Sequence, residues 1–253
     1  MATLTVYPEA GTGSTSCDGQ VYRGSAVNET FATIRAGDGT TAETTPAHDA
    51  LGEFLASTTS NQYNRLRREL FVFDTSALTA SASISAATMS INGGVGSSVT
   101  GLGDLNIAIV GVPTMAANTS VATSDYQNNA STTTLQSDTT IAFSAWAYAA
   151  YNDFAFNATG IGNISKTGVS KFMTRNSADR TNSAPTWSSG AQSTVEANFA
   201  DTALTTTDPK LVITYTIPSG PANLKTFNGL ATASIKTING LAIASVKSVN
   251  GMT

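Results

Sequence analysis

Along most of this chain, apolar residues occur in short runs separated by turns rich in Gly, Asn, Asp, Ser and Thr, without stripes at helical spacing. Runs of this length between turn residues are typical of β-strands. Four of them predict strands, at residues 69–74 (ELFVFD), 84–91 (ISAATMSI), 105–112 (LNIAIVGV) and 210–217 (KLVITYTI). The pattern therefore indicates an all-β fold.

The strand predicted at residues 69–74 is apolar on both faces. Phe71 and Phe73 share one face. Leu70 and Val72 share the other. A strand of this kind is expected in the middle of a sheet rather than at an edge.

Two polar stretches, at residues 36–66 and 174–208, are expected to be long loops. The sequence PSGP at residues 218–221 follows the last predicted strand and marks a domain boundary. We therefore expect a β-sandwich domain at residues 1–217 and a small appendage at residues 218–253.

The appendage contains an eleven-residue repeat. Lysine recurs at positions 225, 236 and 247, and the pair Asn-Gly recurs at positions 228, 239 and 250. Asn-Gly favours a two-residue type I′ hairpin turn, so a β-meander with strands at 230–238 and 241–249 is predicted. That register pairs Ile238 with Leu241 and Lys236 with Ile243.

A short coiled-coil helix is the alternative conformation, because an eleven-residue apolar period suits a slightly right-handed coiled coil. Each glycine inside such a helix costs about 1 kcal/mol relative to alanine, which favours the strands. A lone small meander is marginal in water, and a single helix has nothing to pack against. In either conformation the repeat is expected to bind a partner, and a symmetric homo-oligomer is a natural solution.

Composition and charge exclude several classes of function. The net charge is −4, and no basic cluster interleaved with aromatic residues is present, so a nucleic-acid partner is not expected. No apolar stretch is long enough for a membrane span, and the first residues do not resemble a secretory signal. One cysteine and one histidine do not suffice for a disulfide or a His-based metal cage.

The segment NRLRRELFVFDTSAL at residues 64–78 resembles the DNRLRE-type domain, a jelly-roll β-sandwich related to carbohydrate-binding modules. The segments ISAATMSI and DPKLVITYT are similar to later strands of that family, and the resemblance spans residues 18–217. Residues 154–185 are similar to sandwich domains of phage and other virion-associated proteins, and the NGLA repeat resembles tails found in the same proteins. The resemblance implies a jelly-roll β-sandwich as found in virion proteins.

Carbohydrate binding by such a module requires exposed aromatic rings that stack on sugars. The candidates are Trp187, Tyr126 and Tyr151, whereas Trp146 and Tyr148 are expected to pack in the core. No cofactor is expected, although Asp residues could supply oxygens to a structural Ca²⁺. Their spacing matches no known calcium loop, and the positions considered are Asp18, Asp38, Asp125, Asp153 and Asp179.

No pair of carboxylates is marked as catalytic, so we do not expect an enzyme. The first hypothesis is a structural and adhesive accessory protein of a virion, such as a capsid decoration or tail-fibre protein. Its partners would be other virion or surface proteins, and its repeat would anchor or oligomerise it. The residues expected to do so are Phe227, Asn228, Gly229, Ile235, Ile238, Asn239, Gly240, Val246, Asn250 and Gly251.

The second hypothesis is an extracellular carbohydrate-binding module with a glycan as its ligand. A glycan-cleaving enzyme is a third and much weaker one.

Overall fold

The protein is an all-β sandwich, as a computed structural model of the chain shows. The structure describes residues 1–11, 13–202, 205–218, 226–227, 230–231, 234–238, 240–243 and 246, with the backbone alone at 25–27, 226–227 and 231. None of the helices in these ranges is both long and apolar enough to cross a membrane.

The strands and helices are short and follow one another closely. The strands are β1 (Ala2–Val6), β2 (Asp18–Glu29), β3 (Thr41–Glu43), β4 (His48–Ala56), β5 (Tyr63–Asp74), β6 (Ser83–Asn92), β7 (Val99–Thr100), β8 (Asn106–Gly111), β9 (Ile141–Ala142), β10 (Tyr151–Ala155), β11 (Val169–Asn176), β12 (Gln192–Asn198), β13 (Lys210–Thr216), β14 (Thr226–Phe227), β15 (Leu230–Ala231), β16 (Thr237–Ile238) and β17 (Leu241–Ala242). The helices are α1 (Phe31–Ala36), α2 (Ser124–Asn128), α3 (Ala158–Gly162) and α4 (Ser177–Thr181).

Two antiparallel sheets form the body. One sheet has the strand order β1-β13-β6-β10. The larger, curled sheet has the order β7-β12-β4-β5-β11-β8-β9, with β2 on the other edge of β5 and β3 beside β2. The four strands predicted from the apolar runs are confirmed as parts of β5, β6, β8 and β13.

Strand β5 is central, as its two apolar faces predicted. It pairs with β2 along one edge, and with β4 and then β11 along the other. Phe71 stacks on Phe199, and Phe73 packs against Phe172. Phe172 also contacts Phe156, which follows β10 of the smaller sheet, with ring centroids 4.7 Å apart. This aromatic row therefore joins the two sheets.

The two long loops expected at residues 36–66 and 174–208 are corrected by the structure. The first stretch contains β3, β4 and the start of β5, and the second contains the end of β11, helix α4 and β12. Strand β4 escaped detection because Gly52, with φ +63°, interrupts its alternation of inward and outward side chains. Both stretches are rich in polar residues because many of these side chains form hydrogen bonds inside the folded body.

The C-terminal repeat forms small hairpins. Strand β14 pairs with β15 and β16 pairs with β17, in the same register eleven residues apart. The predicted pairing of Ile238 with Leu241 is confirmed, and the Ile243 amide bonds to the Lys236 carbonyl at 3.0 Å. The nine-residue strands are wrong, because β17 ends at Ala242 and the Ile243 carbonyl accepts from Val246 N–H at 3.1 Å instead of from a partner strand. The helical alternative does not occur in the described part of the repeat.

Candidate functional site

The hairpins of the repeat expose the same apolar position twice. Leu230 and Leu241 are the first strand residues after their turns, and each is 60% exposed. Gly240, at the second turn, has φ +81°, the left-handed backbone that a type I′ turn needs. One repeat therefore builds one hairpin with one leucine turned to solvent.

The structure describes only some of the other residues assigned to oligomerisation or anchoring. Ile235, Ile238 and Val246 are half-buried. Phe227 is described by its backbone alone, in β14. The remaining assigned positions lie outside the described residues, and they are Asn228, Gly229, Asn239, Asn250 and Gly251.

Trp187 is half-buried and held in one orientation. Its indole N–H donates to the carbonyl of Gln62 at 3.1 Å, and its ring packs against the edge of the core. The nearby Tyr63 hydroxyl donates to the carbonyl of Pro185 at 3.0 Å. The segment that carries Trp187 is thereby tied to the start of β5, and part of the indole remains open to solvent.

Tyr151, the first residue of β10, is also half-buried. Its hydroxyl donates to the carbonyls of Thr206 and Asp208, each at 3.0 Å. The ammonium group of Lys210 lies 3.7 Å from the ring centroid, so a cation–π contact occupies one face. Tyr151 therefore fixes the residues just before β13, and its ring is not free on both faces.

Tyr126 is fully buried, which corrects its assignment as a carbohydrate-binding residue. Its hydroxyl donates to the carbonyl of Ile34 at 2.5 Å. The guanidinium of Arg68 lies over its ring at 3.9 Å. The polar residues that surround Tyr126 in the sequence belong to helix α2, which packs this ring into the body, so no face remains for a sugar.

Arg68 belongs to a buried group that we term the arginine cluster, formed by Arg35, Arg68, Arg175 and Asp179. Arg68 and Arg175 each bind the Asp179 carboxylate with two nitrogens, at distances of 2.5 to 2.9 Å. Arg35 Nε lies 3.5 Å from the same carboxylate. Burial alone raises the pKa of Asp179, but the charges and hydrogen bonds of the arginines outweigh it and lower the pKa to about 2. This cluster joins α1, β5, β11 and α4.

The aspartates considered for calcium are dispersed in the structure. Asp125 is buried and accepts the amides of Ala116 and Ala122, each at 2.8 Å, so it is a turn cap. Asp38 and Asp153 are exposed, and the carboxylate of Asp179 is bound by the arginines of the arginine cluster. Asp18 lies near two further carboxylates, those of Asp201 and Asp208, which have no cationic partner among the described residues.

Sequence reasoning missed Asp201 and Asp208. Asp208 stands in the segment DPKLVITYT that carries part of the family resemblance, and Asp201 follows β12. An Asp at each end of a Thr-rich loop was the available signal. Nothing in the spacing links them to Asp18, because it is the fold that brings Asp18 to the segment after β12, where its Oδ2 accepts the amide of Ala200.

The single cysteine is deeply buried in the body. Cys17 has no exposed surface, and burial followed by the charge of Asp18 raises the pKa of its thiol to about 12. A reactive thiolate is therefore disfavoured at this position.

No protein-family model matches the chain, and no curated protein matches it. The resemblance to DNRLRE-type domains stays a prediction.

Proposed function

We propose that the chain is a non-enzymatic structural and adhesive accessory protein of a virion, of the capsid decoration or tail-fibre type. The sandwich is the displayed part, and the C-terminal repeat is the element that oligomerises or anchors it. The observation that carries this proposal is the exposure of Leu230 and Leu241 at the same position of two successive hairpins.

The small size of the hairpins supports an assembly role. Each has two described strand residues per arm, and an isolated two-stranded hairpin is marginal in water. No described residue of the repeat is among the apolar side chains that pack on the core of the body. The hairpins therefore gain stability if the leucines are covered by another surface.

The repetition and the charge indicate what that surface is. Two equal leucine positions eleven residues apart match a partner that repeats with the same spacing, such as the repeat of a second copy. Residues 218–253 carry three lysines and no acidic residue, whereas the other ten basic residues stand against 17 acidic residues. Contact between the repeat of one subunit and the acidic body of a neighbour is therefore electrostatically favourable.

The test compares the full chain with Leu230→Ser/Leu241→Ser and with a chain that lacks residues 218–253. We expect light scattering to give the full chain a mass of at least twice the 25.9 kDa of one subunit. Both variants should have a smaller mass than the full chain and should lose attachment to particles. Val95→Ser is the matched control, because Val95 is 76% exposed on the body. An unchanged mass and unchanged attachment after deletion of residues 218–253 would contradict the proposal.

A carbohydrate-binding module is the second candidate function, favoured by the fixed and partly open ring of Trp187. A preordered aromatic ring stacks on a sugar with little loss of conformational entropy. We expect Trp187→Ala to lose signals on a glycan array that Trp187→Phe retains. An array on which the full chain binds no glycan would remove this candidate.

A further inference from the structure

One pocket of the body is lined by two carboxylates, and a third is bonded to its wall. It has a volume of about 430 Å³ and is enclosed by the β1–β2 and β12–β13 connections, with Tyr7, Asp201 and Asp208 in its lining. Asp18, at the start of β2, bonds to the same wall, because its Oδ2 accepts the amide of Ala200 at 2.9 Å. We term Asp18, Asp201 and Asp208 the acidic pocket.

Each of the three carboxylates has one buried oxygen without a hydrogen-bond partner: Asp18 Oδ1, Asp201 Oδ2 and Asp208 Oδ1. Asp18 is fully buried, and Asp208 is 4% exposed. Asp201 Oδ1 is held in place by the amide of Gly11 at 2.7 Å. Since buried polar atoms are nearly always paired, these unpaired oxygens indicate a missing partner.

That partner is not a basic side chain in the described residues. No ion pair there involves any carboxylate of the acidic pocket. The nearby Lys210 places its ammonium group over the ring of Tyr151 instead.

We propose that the acidic pocket binds one Ca²⁺ ion through Asp201 and Asp208, with Asp18 behind the pocket wall. All the available donors are oxygens, which Ca²⁺ prefers, whereas zinc sites usually include His or Cys. The neighbouring Thr207 contributes a buried hydroxyl that also lacks a hydrogen-bond partner.

The coordination shell does not depend on carboxylates alone. Among the described residues, no three His, Cys, Asp or Glu side chains are gathered closely enough to hold a metal by themselves. Ca²⁺ takes about six to eight oxygen ligands and accepts backbone carbonyls and water among them. Two carboxylates, completed by carbonyl oxygens, a hydroxyl and water, therefore form a suitable site.

The ion ties distant parts of the chain together. Asp201 is bonded to Gly11 of the β1–β2 connection, and Asp208 lies two residues before β13, which pairs with β1. Binding to the folded state alone raises the melting temperature. A Ca²⁺ concentration about 100-fold above its Kd is expected to raise the melting temperature by about 5 °C or more.

The experiment measures melting of the full chain at pH 7.5 after treatment with EDTA, with Ca²⁺ or Mg²⁺ added back. We expect Ca²⁺ to raise the melting temperature, and both Asp208→Asn and Asp201→Asn to abolish that rise. Asp153→Asn is the matched control, because Asp153 is an exposed aspartate on β10 that is expected to keep the full response. Tb³⁺ emission excited through tyrosine is the second readout, since Tyr7 and Tyr151 lie at the pocket.

Three results would overturn the proposal: no response of the full chain to Ca²⁺ in either readout, an equal response to Mg²⁺, or a response kept by both pocket variants. Misfolding of a variant is recognised separately, because each variant is melted without Ca²⁺ as well. A pocket variant that melts cooperatively and has lost only the response to Ca²⁺ supports the site.

Discussion

The arginine cluster and the acidic pocket are both buried groups of charges, and they are built in opposite ways. In the arginine cluster, one carboxylate, that of Asp179, receives the nitrogens of three arginines. In the acidic pocket, three carboxylates share no basic partner among the described residues. The first group is complete within the described residues, whereas the second has no compensating charge among them.

The largest predicted effect is the loss of the carboxylate from the arginine cluster. Asp179→Ala leaves Arg68 and Arg175 buried without an anion, so we expect the free energy of unfolding to fall by about 3 to 5 kcal/mol. Denaturant unfolding measures the change. Asp153→Ala, on the surface of β10, is the control and should stay within about 0.5 kcal/mol of the wild type. If Asp179→Ala and Asp153→Ala lowered the free energy of unfolding by similar amounts, the arginine cluster would not differ from the surface in its contribution to stability.

Glu69 is an intermediate case, a buried carboxylate with hydrogen bonds from the Gly52 amide and the Thr174 hydroxyl. Burial raises its pKa from 4.5 to about 7, although these hydrogen bonds oppose the rise. Because the folded pKa is raised, its contribution to stability is greatest below pH 4.5 and is lost as the pH rises through about 7, by about 3 kcal/mol.

We therefore expect Glu69→Gln to flatten the dependence of unfolding free energy on pH between about 4.5 and 7. Denaturant unfolding at a series of pH values measures this. Asp74→Asn, on the same strand but with a lowered pKa, is the control. Parallel curves of unfolding free energy against pH for wild type and Glu69→Gln would contradict the assignment of this pH dependence to Glu69.

The smallest predicted effect concerns the acidic pocket without calcium. In EDTA at pH 7.5, Asp208→Asn removes one of three neighbouring carboxyl groups that have no basic partner among the described residues, so we expect its free energy of unfolding to exceed that of the wild type by about 1 kcal/mol. Asp179→Asn should lose stability under the same conditions. A loss of stability in both variants would mean that the two groups of charges are not opposite in kind.

The sequence predicted those features that depend on local pattern. Strand β5 was recognisable because both of its faces are apolar, and the hairpin at Gly240 was recognisable because Asn-Gly favours a type I′ turn. The lengths of the hairpin strands could not be predicted, because the Ile243 carbonyl accepts from Val246 N–H instead of from a partner strand, which apolar alternation does not indicate.

The candidate site depends on contacts between distant residues, and it was accessible only in part. Asp18 and Asp208 are 190 residues apart in the sequence, and they come near each other because Asp18 bonds to Ala200 in the segment between β12 and β13. Tyr126 was misjudged because polar neighbours suggested an exposed loop, whereas helix α2 turns the ring inward over Arg68. A local pattern does not contain information on which distant charge or ring will be the neighbour.

The most direct test of the contrast between the two charge groups is a crystal structure of the full chain grown with Ca²⁺. We predict an ion between Asp201 and Asp208 with oxygen ligands at about 2.3 to 2.6 Å, and an arginine cluster that is unchanged. A direct hydrogen bond between these two carboxyl groups at neutral pH, with water alone in the pocket, would contradict the account.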